Sequence, residues 1–247
     1  MKKFFCIYIL GVLIGLNVEG QTKKAQVVSK SKKATAIAAN NNKTVGKTNG
    51  PSESPERMVQ IETNYGTMIA KLYNSTPLHR NNFLKLVTNG FYDSLLFHRV
   101  VNQFMIQGGD PMSKNATTDI MLGNGSAPGE RIPAEINSTF FHKKGALAAA
   151  RNNNPEKASS NCQFYIVQGK VQTNEDVAKL QTPGGVYAPD QTEIYKRIGG
   201  APFLDQNYTV FGEVISGLEV IDKIAQKGTG ANNRPLENIA MKIKLLN

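Results

Sequence analysis

Apolar and polar residues alternate from Val59 to Thr63, break at Asn64-Tyr65-Gly66, and alternate again from Thr67 to Tyr73. Residues two apart share one face of a strand, so the pattern predicts a hairpin. The period then lengthens: after Thr76-Pro77, the residues Leu78, Phe83, Leu84 and Val87 recur at near-helical spacing. Thr76 is placed to cap this helix, Pro77 suits its first position, and Gly90 suits the stop just past its end. Apolar runs at 95–101, 104–107, 145–150, 163–168, 208–214 and 241–245 predict further strands, and Leu218, Val220, Ile221 and Ile224 mark a second helix. Gly108-Gly109-Asp110-Pro111 reads as a turn that needs glycine's backbone freedom, and residues 113–132, rich in Gly, Asn, Ser and Thr, as a loop. Many short strands with two capped helices predict a mainly β fold, a closed antiparallel barrel plugged by helices. Residues 171–200 form an insertion, with helical stretches near 175–180 and 189–198.

The pattern is different before residue 59. Met1-Lys2-Lys3 is followed by an apolar run of 13 residues, Phe4 to Leu16. A helix across a bilayer takes about 20 such residues, whereas this length suits the core of an export signal. Val18-Glu19-Gly20 offers small residues for a cut before Gln21. Residues 1–20 therefore read as a cleaved signal peptide, with an uncleaved anchor and a buried N-terminal helix as alternatives. Residues 21–57 are rich in Lys, Asn, Ser, Thr and Ala and lack periodicity, the composition of a disordered basic tether. Such a tether is either a solubilising spacer, the favoured reading, or an electrostatic guide to an anionic surface or nucleic acid. Residues 59–247 remain as one domain.

Charge and cysteine content refine this division. The formal net charge of the 247-residue chain is +10, but residues 1–58 carry +7 of it, leaving a nearly balanced domain. No aromatics interleave with the basic residues as stacking platforms, so no nucleic acid is expected as a partner. Of the 2 cysteines, Cys6 lies within the signal and Cys162 alternates with Phe164 and Ile166 as a core residue would. With one cysteine left after cleavage, an internal disulfide is ruled out.

Familiar chemistry is sparse. The 3 histidines, His79, His98 and His142, have no metal-ligand spacing, and no metal or cofactor is expected. Gly123-Asn124-Gly125 looks like part of a dinucleotide loop but lacks the strand before and the helix after it. There is no Gly-Xaa-Ser-Xaa-Gly elbow. What remains is arginine, polar amides and aromatics gathered in three segments. They are Phe97-His98-Arg99 through Gln107-Gly108-Gly109-Asp110, then Gly145–Arg151 with Ser159–Ile166, then Phe203–Gly212.

These three ordered segments strongly resemble the cyclophilin family of peptidyl-prolyl cis-trans isomerases. The resemblance covers about residues 59–247 without the insertion, and the insertion (about 170–201) and the alanine-rich 145–151 strand look like exported bacterial members. It implies a cyclophilin-like barrel and catalysis of rotation about Xaa–Pro bonds. The substrates would be proline-containing polypeptides among exported proteins, met in the periplasm or after secretion by a monomer without lasting membrane insertion. A non-catalytic binder of proline-containing segments on the same fold is the alternative.

By resemblance, Arg99 is the catalytic donor, and Phe104, Met105, Tyr165, Phe203 and Leu204 line the proline pocket. Gln107 and Gln163 match substrate-positioning amides, while Ala150 and Arg151 match an edge that binds substrate through main-chain groups. Phe97, Phe164 and Phe211 are assigned to the core, and His98 is given no proton-transfer role. Two departures stand out: the family's frequent Trp is Phe203 here, and its frequent His is Tyr208. Both keep an aromatic wall, but the loss of an indole donor implies only weak binding of the family's inhibitor, cyclosporin.

Overall fold

The computed structural model describes residues 55–117, 119–180 and 187–246. The expected signal peptide, the expected tether up to residue 54 and residues 181–186 of the expected insertion lie outside the described residues. The predicted hairpin is present as β1 (Arg57–Thr63) and β2 (Gly66–Leu72). Its register, Val59↔Ala70 and Ile61↔Met68, puts four fully buried apolar side chains on one face. β1 starts at Arg57, inside the expected tether. Arg57 and Met58 are both paired with β2, but their exposed side chains leave no apolar pattern to read.

Six more strands follow: β3 (Arg99–Val101), β4 (Met105–Gly108), β5 (Ala146–Ala149), β6 (Phe164–Val167), β7 (Val210–Ser216) and β8 (Met241–Leu246). They form one eight-stranded antiparallel sheet in the order β3-β4-β6-β5-β7-β2-β1-β8. The sheet curls until its two edges meet. Closure is a short bridge, Leu96↔Ala240, flanked by Phe97 N–H to Ile239 O at 2.9 Å and Met241 N–H to Leu95 O at 2.8 Å. This explains why the apolar run at 95–101 yields only a three-residue strand: its first half makes the seam.

The barrel interior holds the main core, where Ile61, Met68, Leu147, Phe164, Ile166 and Phe211 meet. Helix α1 (Pro77–Thr88) adds Phe83 and Val87, and α4 (Leu218–Ala225) adds Val220, Ile221 and Ile224. Phe164 lies edge-on to Phe83, Tyr92 and Phe97 at centroid distances of 5.5, 5.5 and 6.2 Å. A second core packs on the outer face of β4, β5 and β6, around Met105, Ala148, Tyr165, Val167, Leu204 and Val210. Burial on both faces explains why β5 and β6 read as unbroken apolar runs.

Helix α1 ends as predicted. Gly90 N–H bonds Val87 O and Phe91 N–H bonds Leu86 O, the paired bonds of a Schellman stop. Its start corrects the expectation. Thr76 makes no side-chain cap, and its hydroxyl turns back to Tyr73 O. The carboxylate of Glu135 caps instead, accepting from Leu78 N–H and His79 N–H, both at 2.9 Å. The insertion carries α2 (Asn174–Leu180) and α3 (Pro189–Ile198), matching the two helical stretches expected there.

Candidate active site

Strand register assembles the site. Across β3, β4, β6 and β5, the directly opposed residues are Arg99↔Gln107, Gln107↔Tyr165 and Tyr165↔Ala148. Opposed residues share a face, so this row lies on the outside of the barrel, opposite Phe164 and Ile166. The turn after β4 is tight: a Cβ on Gly109 (φ +91°) would stand 2.3 Å from Cys162 O, so only glycine fits.

A cavity of about 100 Å³ sits on this row. It is lined by Arg99, Phe104, Met105, Gln107, Ala150, Arg151, Tyr165, Leu204 and Tyr208. That is roughly the share of liquid taken by three waters, enough for a small ring. Every lining residue is one the sequence nominates. The two nominees outside the lining are Gln163 and Phe203. Phe203 is 67% exposed and leans on Phe104 with centroids 5.3 Å apart, so it forms a rim and not a wall.

Arg99 is half-buried, its guanidinium 5.9 Å from the Phe104 ring centroid. Burial pulls its pKa below the usual value, opposed by Tyr208. An arginine stays charged regardless, and the lost hydration leaves its donors in want of acceptors. Nη1 bonds Gln107 Oε1 at 3.2 Å and contacts Met105 Sδ at 3.8 Å. Nε and Nη2 have no acceptor among the described residues.

From Gln107 the chain of bonds continues inward. Gln107 Nε2 donates to Gln163 Oε1 at 3.1 Å, and Gln163 Nε2 donates to Gly123 O at 3.0 Å and Gly125 O at 2.8 Å. Both N–H groups of Gln163 and its oxygen are thus engaged inside the protein, and the side chain is buried. Gln163 thus fixes Gln107 and the Gly123-Asn124-Gly125 loop. Asp110 holds the same loop through Gly123 N–H while capping residues 111–113 through Met112 N–H.

Ala150 also departs from expectation. Its N–H bonds Gln163 O at 2.9 Å and its C=O accepts from Ser160 N–H at 2.8 Å, so its main chain is taken. Arg151 has a main chain without partners among the described residues. Its side chain bonds Asn207 O at 2.9 Å and lies 4.6 Å from the Tyr208 ring centroid.

A family model described as cyclophilin type peptidyl-prolyl cis-trans isomerase/CLD matches residues 58–244. The chain belongs to the cyclophilin family. A Staphylococcus aureus (strain COL) protein named "Putative peptidyl-prolyl cis-trans isomerase" is 37% identical over 187 residues, covering 75% of this chain and 89% of that one. Among solved structures, a cyclophilin type peptidyl-prolyl cis-trans isomerase from Cryptosporidium parvum matches with a TM-score of 0.58 at 24% identity, covering 78% of this chain and 99% of that one. A second structure of that protein, determined in the presence of the dipeptide Ala-Pro, gives 0.57 at 25% identity over 77% of this chain and 99% of that one.

This cyclophilin has two wider clefts beside its small cavity, and Gln107 lines all three. One, of about 620 Å³, runs past Gly125, Glu130, Arg131, Arg151 and Asn161. The other, of about 510 Å³, runs past His98, Arg99, Met121, Asn233 and Arg234. Apart from the nominated site residues and His98, their linings come from loops and the 3₁₀ turn at Ala231–Asn233. The 113–132 loop is legible from its composition, but it carries no periodicity that aims its side chains. Among the described residues, no group of three or more His, Cys, Asp or Glu could hold a metal, and no helix is long and apolar enough to cross a membrane.

Proposed function

We propose that this cyclophilin catalyses rotation about Xaa–Pro bonds in exported polypeptides, with Arg99 as the catalytic donor. The observation that carries the reading is Arg99 itself: a half-buried guanidinium with Nε and Nη2 unengaged, at the mouth of an apolar cavity sized for a small ring. Amide resonance sets a barrier of about 18–20 kcal/mol to this rotation. No bond is made or broken, so neither a nucleophile nor a general base is required. The enzyme must bind the twisted amide more tightly than the planar one. Twisting returns a lone pair to the prolyl nitrogen, and Arg99 donates to it there. Phe104, Met105, Tyr165, Leu204 and Tyr208 hold the ring, Gln107 and the main chain of Arg151 hold the peptide, and Phe203 screens the rim.

The setting is read from the N-terminus. The basic start and 13-residue apolar run support export and a cut before Gln21, releasing a monomer into the periplasm or medium. Mass spectrometry of the mature N-terminus tests this. The catalytic reading is tested by a prolyl-peptide isomerisation assay on the wild type, Arg99→Ala and Arg99→Lys. Removal of one preorganised donor is expected to lower kcat/KM by about 10²–10³. Lysine is expected not to restore it, because it lacks the rigid donor plane. Equal rates for all three proteins would refute the assignment, and peptide binding without acceleration would favour the binder.

A further inference from the structure

We propose that the insertion is a brace for the proline pocket, acting on Tyr165 through the positioning residues Tyr195, Asp205 and His142. The inference rests on Tyr165 being a wall of that pocket. Tyr195, on α3, is fully buried, and its hydroxyl donates to Asp205 Oδ2 at 2.5 Å. Asp205 Oδ1 accepts from His142 twice, from the backbone N–H at 2.8 Å and from Nδ1 at 2.6 Å. His142 Nε2 then meets the Tyr165 hydroxyl at 2.8 Å. A carboxylate only accepts, so Nδ1 carries a proton, and in the neutral ring the Nε2 lone pair takes the hydroxyl of Tyr165. Burial, with Asp205 and other neighbours adding to it, pushes both tyrosine hydroxyls well above their ordinary pKa, which keeps them as donors.

The chain of bonds has one direction and no free end: two tyrosine donors and one imidazole, all oriented by a single buried carboxylate. Ring packing leaves Tyr165 little freedom. It lies parallel to His142 at 5.9 Å, and Tyr208 stands edge-on to both. The insertion is stitched to the same histidine at its neck, where Ala201 N–H bonds His142 O at 2.8 Å. Gly200 packs so closely there that a Cβ would lie 2.4 Å from both His142 O and the Tyr195 ring. An element remote in sequence from the strand row thus sets the orientation of one pocket wall.

A wall that is held in place is present for the planar and the twisted substrate alike. Loosening it therefore raises KM and spares kcat. Tyr195→Phe deletes one hydroxyl without changing the packing volume. KM for a prolyl peptide is expected to rise about threefold to tenfold with kcat within about twofold. Tyr165→Phe cuts the other end, so the double variant is expected to be no worse than the poorer single one. Gln191→Ala is the control: it breaks the bond from α3 to Ser138 O and the cap on Ala188 N–H but lies off the chain, and KM is expected to stay put. Nitrogen-15 NMR of His142 reads the chain directly, with the Nδ1–H form expected in the wild type and the same form in Tyr195→Phe, its Nδ1 resonance shifted because Asp205 has lost one donor and accepts more strongly from Nδ1–H. Fully additive losses, an equal KM rise in Gln191→Ala, or an unchanged His142 spectrum would overturn the brace. A wild type without isomerase activity would instead sink the catalytic reading, since the NMR result does not depend on turnover.

Discussion

A glutamine side chain has one acceptor and two donors, and in Gln163 all are engaged between Gln107 and two loop carbonyls. Its value to catalysis is therefore indirect. Gln163→Leu frees Gln107 and leaves Gly123 O and Gly125 O without their donor. A loss of about tenfold in kcat/KM is expected, about 1.4 kcal/mol. Gln163→Glu is expected to lose at least as much, because a carboxylate would face those two carbonyls; wild-type kinetics in either variant would show the joint to be idle. Phe203 gives a second test. It offers an exposed ring and no donor, so cyclosporin is expected to inhibit weakly, and Phe203→Trp, which adds an indole N–H, to tighten inhibition about tenfold. Nanomolar inhibition of the wild type would end that idea. The nominated residues were legible because ordered motifs point to one row of strands. The division of labour among them was not, because it depends on which polar atoms find internal partners.

Elements show the same split between pattern and partner. The hairpin, α1 and the insertion's helices follow from period and stop signals in consecutive residues. The N-terminal cap of α1 comes from Glu135, which no local rule connects to Leu78 and His79. Glu135 also meets His79 Nδ1 at 2.7 Å, so its removal strands two backbone donors and a ring nitrogen. Glu135→Ala is expected to cost about 2 kcal/mol, the upper end for a lost cap. Thr76→Ala is expected to cost less than about 1 kcal/mol, since its hydroxyl makes one long bond of 3.4 Å. Urea midpoints for the two variants check the order, and the reverse order would return the cap to Thr76. The seam of the barrel was equally hidden, because Leu96 and Ala240 are far apart in sequence and pair for a single bridge.

For the molecule as a whole, the near-balanced charge of the domain means that acid sensitivity comes from particular buried groups more than from net repulsion. His98 is the strongest of these. Burial lowers its pKa, with Arg234 and Arg99 acting the same way and Asp110 against them, to about 4 from 6.5. Burial lowers His79 too, against the pull of Glu135. A depressed histidine binds its proton more readily in the unfolded chain. Stability from this source is thus full above the unfolded value and is lost as pH falls from 6.5 towards 4. The loss from His98 alone is about 3 kcal/mol. Glu213 comes later on the acid side. Burial raises its pKa, but Lys143 and Lys71 outweigh burial and hold it below 4.5, so its stabilising ion pairs fail only at lower pH. Thermal melts of the wild type are expected to be flat above pH 7 and to drop by roughly 10 °C between pH 6.5 and 4. His98→Asn starts from a lower melting temperature but is expected to lose most of that slope, keeping the smaller part due to His79. Parallel pH curves for the two proteins would mean that His98 is not the group being protonated, and that the acid limb belongs to the carboxylates.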